Sequence, residues 1–187
     1  MLVAAAAAPP GEPLCGGRLL QLRVSTLAGP VRLRLESRRM EDKRPTADLV
    51  VDGPGGGIQL VVEAKNTVAP SPEWAARFLR NLFIHAQIPP TPFFLLALRD
   101  HLYLWRQPSG DPGPPEFEGD TATALQPYLR RIHGSLDSLN QRSFEALIYT
   151  WISDIIAGMP ETEQLAWLRD SGLAESIRDG IIRSKAA

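Results

Sequence analysis

The sequence predicts an α/β domain, a mixed β-sheet with flanking helices and a helical C-terminal extension. Three observations carry this. Short β-type apolar runs recur through residues 31–105, helical spacing interrupts them once between residues 73 and 87, and nearly everything after residue 121 has helical spacing.

Residues 1–17 are rich in Ala, Pro and Gly and read as a disordered leader. Residues 19–24 and 31–36 alternate apolar with polar side chains. Val31, Leu33 and Leu35 would face inward while Arg32, Arg34 and Glu36 face out, as in a half-buried strand. Residues 47–52 and 58–65 are β-rich and flank Gly53-Pro54-Gly55-Gly56-Gly57, which predicts a hairpin. Trp74, Phe78, Leu82 and Phe83 then have helical spacing after Pro72, so a helix is expected over 73–87, stopped by Pro89-Pro90. Residues 93–98 are almost continuously apolar, as in a strand covered on both faces, and residues 102–105 return as its neighbour. Residues 107–120 read as a surface loop. Helices are expected over 122–133, 143–157, 162–170 and 173–184, with Ser143 capping the second and Gly172 ending the third. The resulting division is a leader (1–17), an α/β core (18–120) and a helical extension (121–187) that packs on the core or on a partner.

The 187 residues suffice for one core, and 44% hydrophobic with 22% charged residues is ordinary for a globular chain. The net charge of −1 gives no general attraction to nucleic acid. Its distribution is uneven, because residues 1–44 hold eight basic side chains against four acids. Arg32, Arg34, Arg38 and Arg39 are candidate phosphate contacts, the alternative being an ordinary solvated surface. A single cysteine, Cys15, excludes an intrachain disulfide and fits a reducing, cytoplasmic setting. No apolar run approaches the ~18 residues of a membrane span.

The informative segment is the hairpin. Along a strand, Glu63 and Lys65 project together and Ala64 projects the other way. Setting Asp52 opposite Gln59 places Asp48 opposite Glu63. One face then carries Asp48, Val50, Asp52, Gln59, Val61, Glu63 and Lys65, and the other carries Ala47, Leu49, Val51, Leu60, Val62 and Ala64. A slip of one residue would mix these sets. Two adjacent carboxylates resist joint ionisation, and a divalent cation relieves the repulsion. Hard oxygen donors suit Mg²⁺, and a neighbouring lysine can orient water and offset phosphate charge.

These residues carry a resemblance. Asp48, a hairpin, then Glu63-Ala64-Lys65 closing an apolar strand resembles the PD-(D/E)xK superfamily of restriction-endonuclease-like nucleases. The resemblance covers residues 31–106, including the following helix and strand pair, and is similar to small bacterial members and type I restriction-subunit N-terminal domains. It implies a restriction-endonuclease-like fold and a Mg²⁺- or Mn²⁺-dependent endonuclease acting on DNA. Asp48, Glu63 and the Ala64 carbonyl would bind metal, with Lys65 acting on the attacking water. The chain departs from the pattern in having Ala47 before the Asp, with Pro45 set back by two positions. Glu36 and Glu41 are candidates for the family's upstream acid, and Asn66 and Gln87 are accessory candidates that serve equally as caps or surface residues. The resemblance also implies a homodimer, and the apolar stripe Phe144, Leu147, Ile148, Trp151, Ile152 and Ile155 offers a surface for it or for a partner protein. The alternatives are a catalytically silent fold that binds protein or nucleic acid, and a different metal enzyme using the same carboxylates. Without such a site, the hairpin would carry only an ordinary exposed Glu–Lys pair.

Other chemistries lack their motifs. Gly53–Gly57 is followed by no Lys-Ser/Thr, no Gly-x-Ser-x-Gly occurs, and His85, His101 and His133 lack zinc-ligand spacing. Trp74, Tyr103 and Trp105 read as core side chains rather than base-stacking platforms.

Overall fold

The computed structural model of the chain describes residues 47–68, 71–85, 88–158 and 165–184, all within the compact unit Glu41–Ala187. The leader, the strands expected at 19–24 and 31–36, and Arg32, Arg34, Glu36, Arg38, Arg39, Glu41 and Gln87 lie outside the described residues.

Six strands, β1 (Leu49–Asp52), β2 (Ile58–Lys65), β3 (Phe93–Leu98), β4 (His101–Arg106), β5 (Phe117–Asp120) and β6 (Ile181–Ser184), form one sheet. Their order is β5-β4-β3-β2-β1-β6. Among the described residues only β2 and β3 run parallel, because helix α1 (Pro72–Ile84) crosses between them; the other pairs are antiparallel. β3 sits at the centre and is buried along its whole length, as its unbroken apolar run predicts.

The sheet is covered on both faces. On one, α1 contributes Ala75, Leu79 and Leu82 to a cluster with Val50, Val61, Phe94, Leu96, Tyr103 and Trp105. Tyr103 and Trp105 are therefore core residues, and the Trp105 indole donates to the Gly113 carbonyl. On the other lie α2 (Thr121–Arg131), α3 (Gln141–Ile156), α4 (Ala166–Asp170) and α5 (Leu173–Ile177). Phe144, Ile148, Trp151, Ile152 and Ile155 of α3 pack there against Leu49, Val62, Ala64 and Leu95. The stripe that offered a partner surface is thus taken up by this chain's own sheet.

Several elements differ from expectation. α1 ends at Ile84, where the His85 amide bonds back to Asn81, before the prolines are reached. Residues 117–120 form an edge strand rather than the end of a loop. Gly119 belongs there because a Cβ at that position would lie 2.6 Å from the Trp167 indole. The helix expected over 173–184 stops at Ile177. Asp179, with φ of 57°, and Gly180 turn the chain, and Ile181–Ser184 pairs with β1. A Cβ on Gly180 would meet the Asp52 carbonyl at 2.6 Å. Asn140, not Ser143, caps α3, its Oδ1 accepting the Ser143 amide at 2.9 Å, so Gln141 falls in the first turn.

Candidate active site

The hairpin register matches the expected one over Leu49↔Val62, Val50↔Val61 and Val51↔Leu60, then shifts so that Asp52 pairs with Ile58. The turn causes the shift. Gly56 and Gly57 both have positive φ, and the Gly53 amide bonds to the Gly57 carbonyl, closing the loop one residue short. The extra residue is Gln59. It does not join Glu63 on the site face as expected, because its Oε1 accepts from Ser176 of α5, on the opposite face. Ala47 is the second correction. It packs with the α1-side cluster, because the chain bends at Ala47–Asp48 before β1 begins.

That bend frees the Asp48 side chain. β2 runs past the start of β1, leaving the Ala64 amide without a strand partner, and Asp48 Oδ2 accepts it at 3.0 Å. The same oxygen accepts Lys65 Nζ at 2.8 Å, and Glu63 Oε2 lies 2.7 Å from that nitrogen. Asp48, Glu63 and Lys65 therefore meet on the α1 face at the C-terminal end of β2. Only Lys65 is substantially open to solvent, its side chain 36% exposed against 15% for Asp48 and 8% for Glu63. Ala64 points to the opposite core and is fully buried.

Burial holds the Glu63 carboxyl above the ordinary carboxylate range. The hydrogen bond from Lys65 opposes this, and the neighbouring Asp48 charge adds to it. For Lys65, burial alone would lower the pKa, but the hydrogen bonds and charges of Asp48 and Glu63 outweigh it and raise it. In this arrangement Lys65 is an ammonium suited to orienting an oxygen and offsetting negative charge.

The donor set fits a hard divalent cation. Two carboxylates already converge on one positive charge, and the Ala64 carbonyl belongs to the residue between Glu63 and Lys65 in sequence. That carbonyl accepts from Gln141 Nε2 at 2.7 Å, which leaves it a second lone pair. No group of three or more His, Cys, Asp or Glu side chains placed to hold a metal occurs among the described residues. The set here is two carboxylates and a carbonyl.

The accessory candidate Asn66 is part of the surroundings. Its amide donates to Gln141 Oε1 at 2.8 Å and its Nδ2 to the Leu139 carbonyl at 2.6 Å, while its Oδ1 is buried without a protein partner. Sequence reading missed Gln141 and its neighbour Glu145. They lie more than seventy residues from the motif, and a Gln at a helix start carries no local signal.

Comparison of the chain with family models, curated proteins and solved structures finds no match. Among the described residues no helix is long and apolar enough to cross a membrane.

Proposed function

We propose that this protein is a metal-dependent endonuclease that hydrolyses DNA phosphodiester bonds, with a restriction-endonuclease-like fold of the PD-(D/E)xK type. The observation that carries the reading is the meeting of Asp48 and Glu63 at the Lys65 ammonium, on one face of the sheet. Asp48, Glu63 and the Ala64 carbonyl would hold Mg²⁺ or Mn²⁺. Such an ion, when bound, polarises a phosphoryl oxygen and lowers the pKa of a coordinated water. The protein's own part is positional. Asp48 is fixed by the Ala64 amide, Glu63 is held by burial, and Lys65 presents a positive charge to the phosphate or to the attacking water.

The test is nicking of supercoiled plasmid by the purified protein in Mg²⁺, in Mn²⁺ and in EDTA, beside Lys65→Ala. The reading requires cleavage that needs metal and disappears in the variant. Folded protein that cuts in no metal would sink it.

One observation favours a second reading, a silent fold that binds nucleic acid or protein. Lys65 occupies both carboxylates and Gln141 occupies the Ala64 carbonyl, so the cluster is already internally bonded. On that reading the partner surface is not the α3 stripe, which is buried against the sheet. Metal-independent DNA binding that survives Glu63→Gln would support it.

A further inference from the structure

Gln141 and the catalytic candidates belong to opposite layers. Gln141 opens α3, which packs on the face of the sheet away from Asp48, Glu63 and Lys65. Its side chain nonetheless reaches the end of β2. There β2 extends beyond β1, so on that edge the main-chain groups of Ala64 and Asn66 have no strand beside them, while β3 pairs along the other edge as far as Lys65. The Gln141 amide supplies the missing rung, accepting from the Asn66 amide at 2.8 Å and donating to the Ala64 carbonyl at 2.7 Å. Its second hydrogen goes to Glu145 Oε1 at 2.6 Å. All of its donors are used, and a flipped amide would set its oxygen against two other oxygens.

Asn66 strengthens the case. Its Nδ2 is spent on the Leu139 carbonyl, just before the α3 cap, while its own Oδ1 stays buried without a protein partner. The main chain on both sides of Lys65 is thus held to the start of α3 and the residues just before it.

We propose that Gln141 is a positioning residue of the active site. It fixes the backbone at Ala64 and Asn66, and so sets where the Ala64 carbonyl, Glu63 and Lys65 stand relative to a divalent cation. This rests on the metal-dependent reading of the site. Glu145 acts one step further out by orienting the Gln141 amide.

The experiment is calorimetric titration of the full chain with Mn²⁺ alone at 20 °C, for wild type, Gln141→Met, Glu145→Ala and Tyr128→Phe, beside thermal melts. Outer residues that orient ligands typically change metal affinity by about 10–100-fold. Gln141→Met is expected to weaken Mn²⁺ binding at least about tenfold, and Glu145→Ala by a smaller factor that serves if Gln141→Met does not fold. Tyr128→Phe, remote from the site, should lower the melting temperature and leave the affinity unchanged. In plasmid cleavage, kcat of the glutamine variant should fall with KM for DNA unchanged. A glutamine that only braces the fold would shift the melting temperature and not the Kd of the folded protein. Wild type that binds Mn²⁺ with variants that bind it equally overturns this inference alone. Wild type that binds no Mn²⁺ overturns the reading of the site, and this inference with it.

Discussion

Replacing Lys65 with Met removes the charge that holds two carboxylates together. Asp48 Oδ2 and Glu63 Oε2 each lie under 3 Å from Nζ, so they are at most about 5.5 Å apart. Two unit charges at that separation repel by roughly 3 kcal/mol at an effective dielectric of 20, and by under 1 in bulk water. The site lies between these limits, since Glu63 is buried and Lys65 is partly open. Lys65→Met is therefore expected to cost about 2 kcal/mol of stability at pH 8, between an exposed pair and a fully buried one. The loss should depend on pH with a definite sign. Burial already raises the Glu63 pKa above 4.5, and the variant loses the opposing lysine, so the folded-state value rises further. A carboxyl whose folded pKa lies above its unfolded pKa stabilises the fold below the unfolded value. That contribution disappears as pH rises through the folded value. Urea unfolding in EDTA at pH 8 and near pH 5 measures this, and the cost should shrink to under about 1 kcal/mol at the lower pH. Adding Glu63→Gln should restore at least half of the pH 8 loss. A loss equal at both pH values, or no loss at pH 8, would refute the claim that the three groups meet.

Two further expectations concern the scaffold. Phe144→Ala removes a fully buried ring between α3 and the sheet and should cost about 3–5 kcal/mol in urea unfolding, whereas a ring serving only a partner interface would cost little. Tyr128 donates to Asp154 Oδ2 at 2.6 Å, so Tyr128→Phe should lose about 1 kcal/mol near neutral pH. Burial, and after it the Asp154 hydrogen bond, raises the Tyr128 pKa well above 10. Its contribution is therefore complete below about pH 10 and fades above it in wild type but not in the variant, which spectroscopic unfolding from pH 8 to 11 would register.

Much of the fold was legible because its signals are local. The apolar run of β3, the proline and apolar spacing of α1, and the two-sided pattern of the hairpin each fix an element from adjacent residues. The hairpin register followed from sorting polar from apolar side chains, and that sorting failed at Gln59, where the glycine turn closes one residue early, and at Ala47, where the chain bends before β1. The misread elements depend on distant partners. β6 is a strand because β1 offers it an edge, although Asp179-Gly180 followed by two isoleucines is a turn-and-strand signal that can be read beforehand. β5 has four residues and needs β4 to exist. At the site, Asp48, Glu63 and Lys65 were legible because one hairpin supplies all three, while Gln141 comes from a helix on the far side of the sheet.

Glu63 is where the sequence departs from what stability asks. Its neighbours on the same face are Val61 along the strand, Leu96 opposite on β3 and Tyr103 beyond it on β4, all buried under α1. An apolar or neutral side chain there would extend that core without desolvating a charge. The raised pKa says the same, because the surroundings disfavour the ionised form even with Lys65 attached. Departures of this kind are expected at functional or strained positions, and the proposed active site makes Glu63 the former. Glu63→Gln is therefore expected to stabilise the protein at pH 8 by about 1 kcal/mol while abolishing metal-dependent cleavage, the trade made where a site is kept against the interest of the fold. Urea unfolding of the variant beside the plasmid assay decides between the two readings of this cluster. A gain in stability with loss of cleavage fits an active site. A clear loss of stability would mean that the ion cluster is there to hold β2 to the bend at Asp48, and would count against the proposed active site.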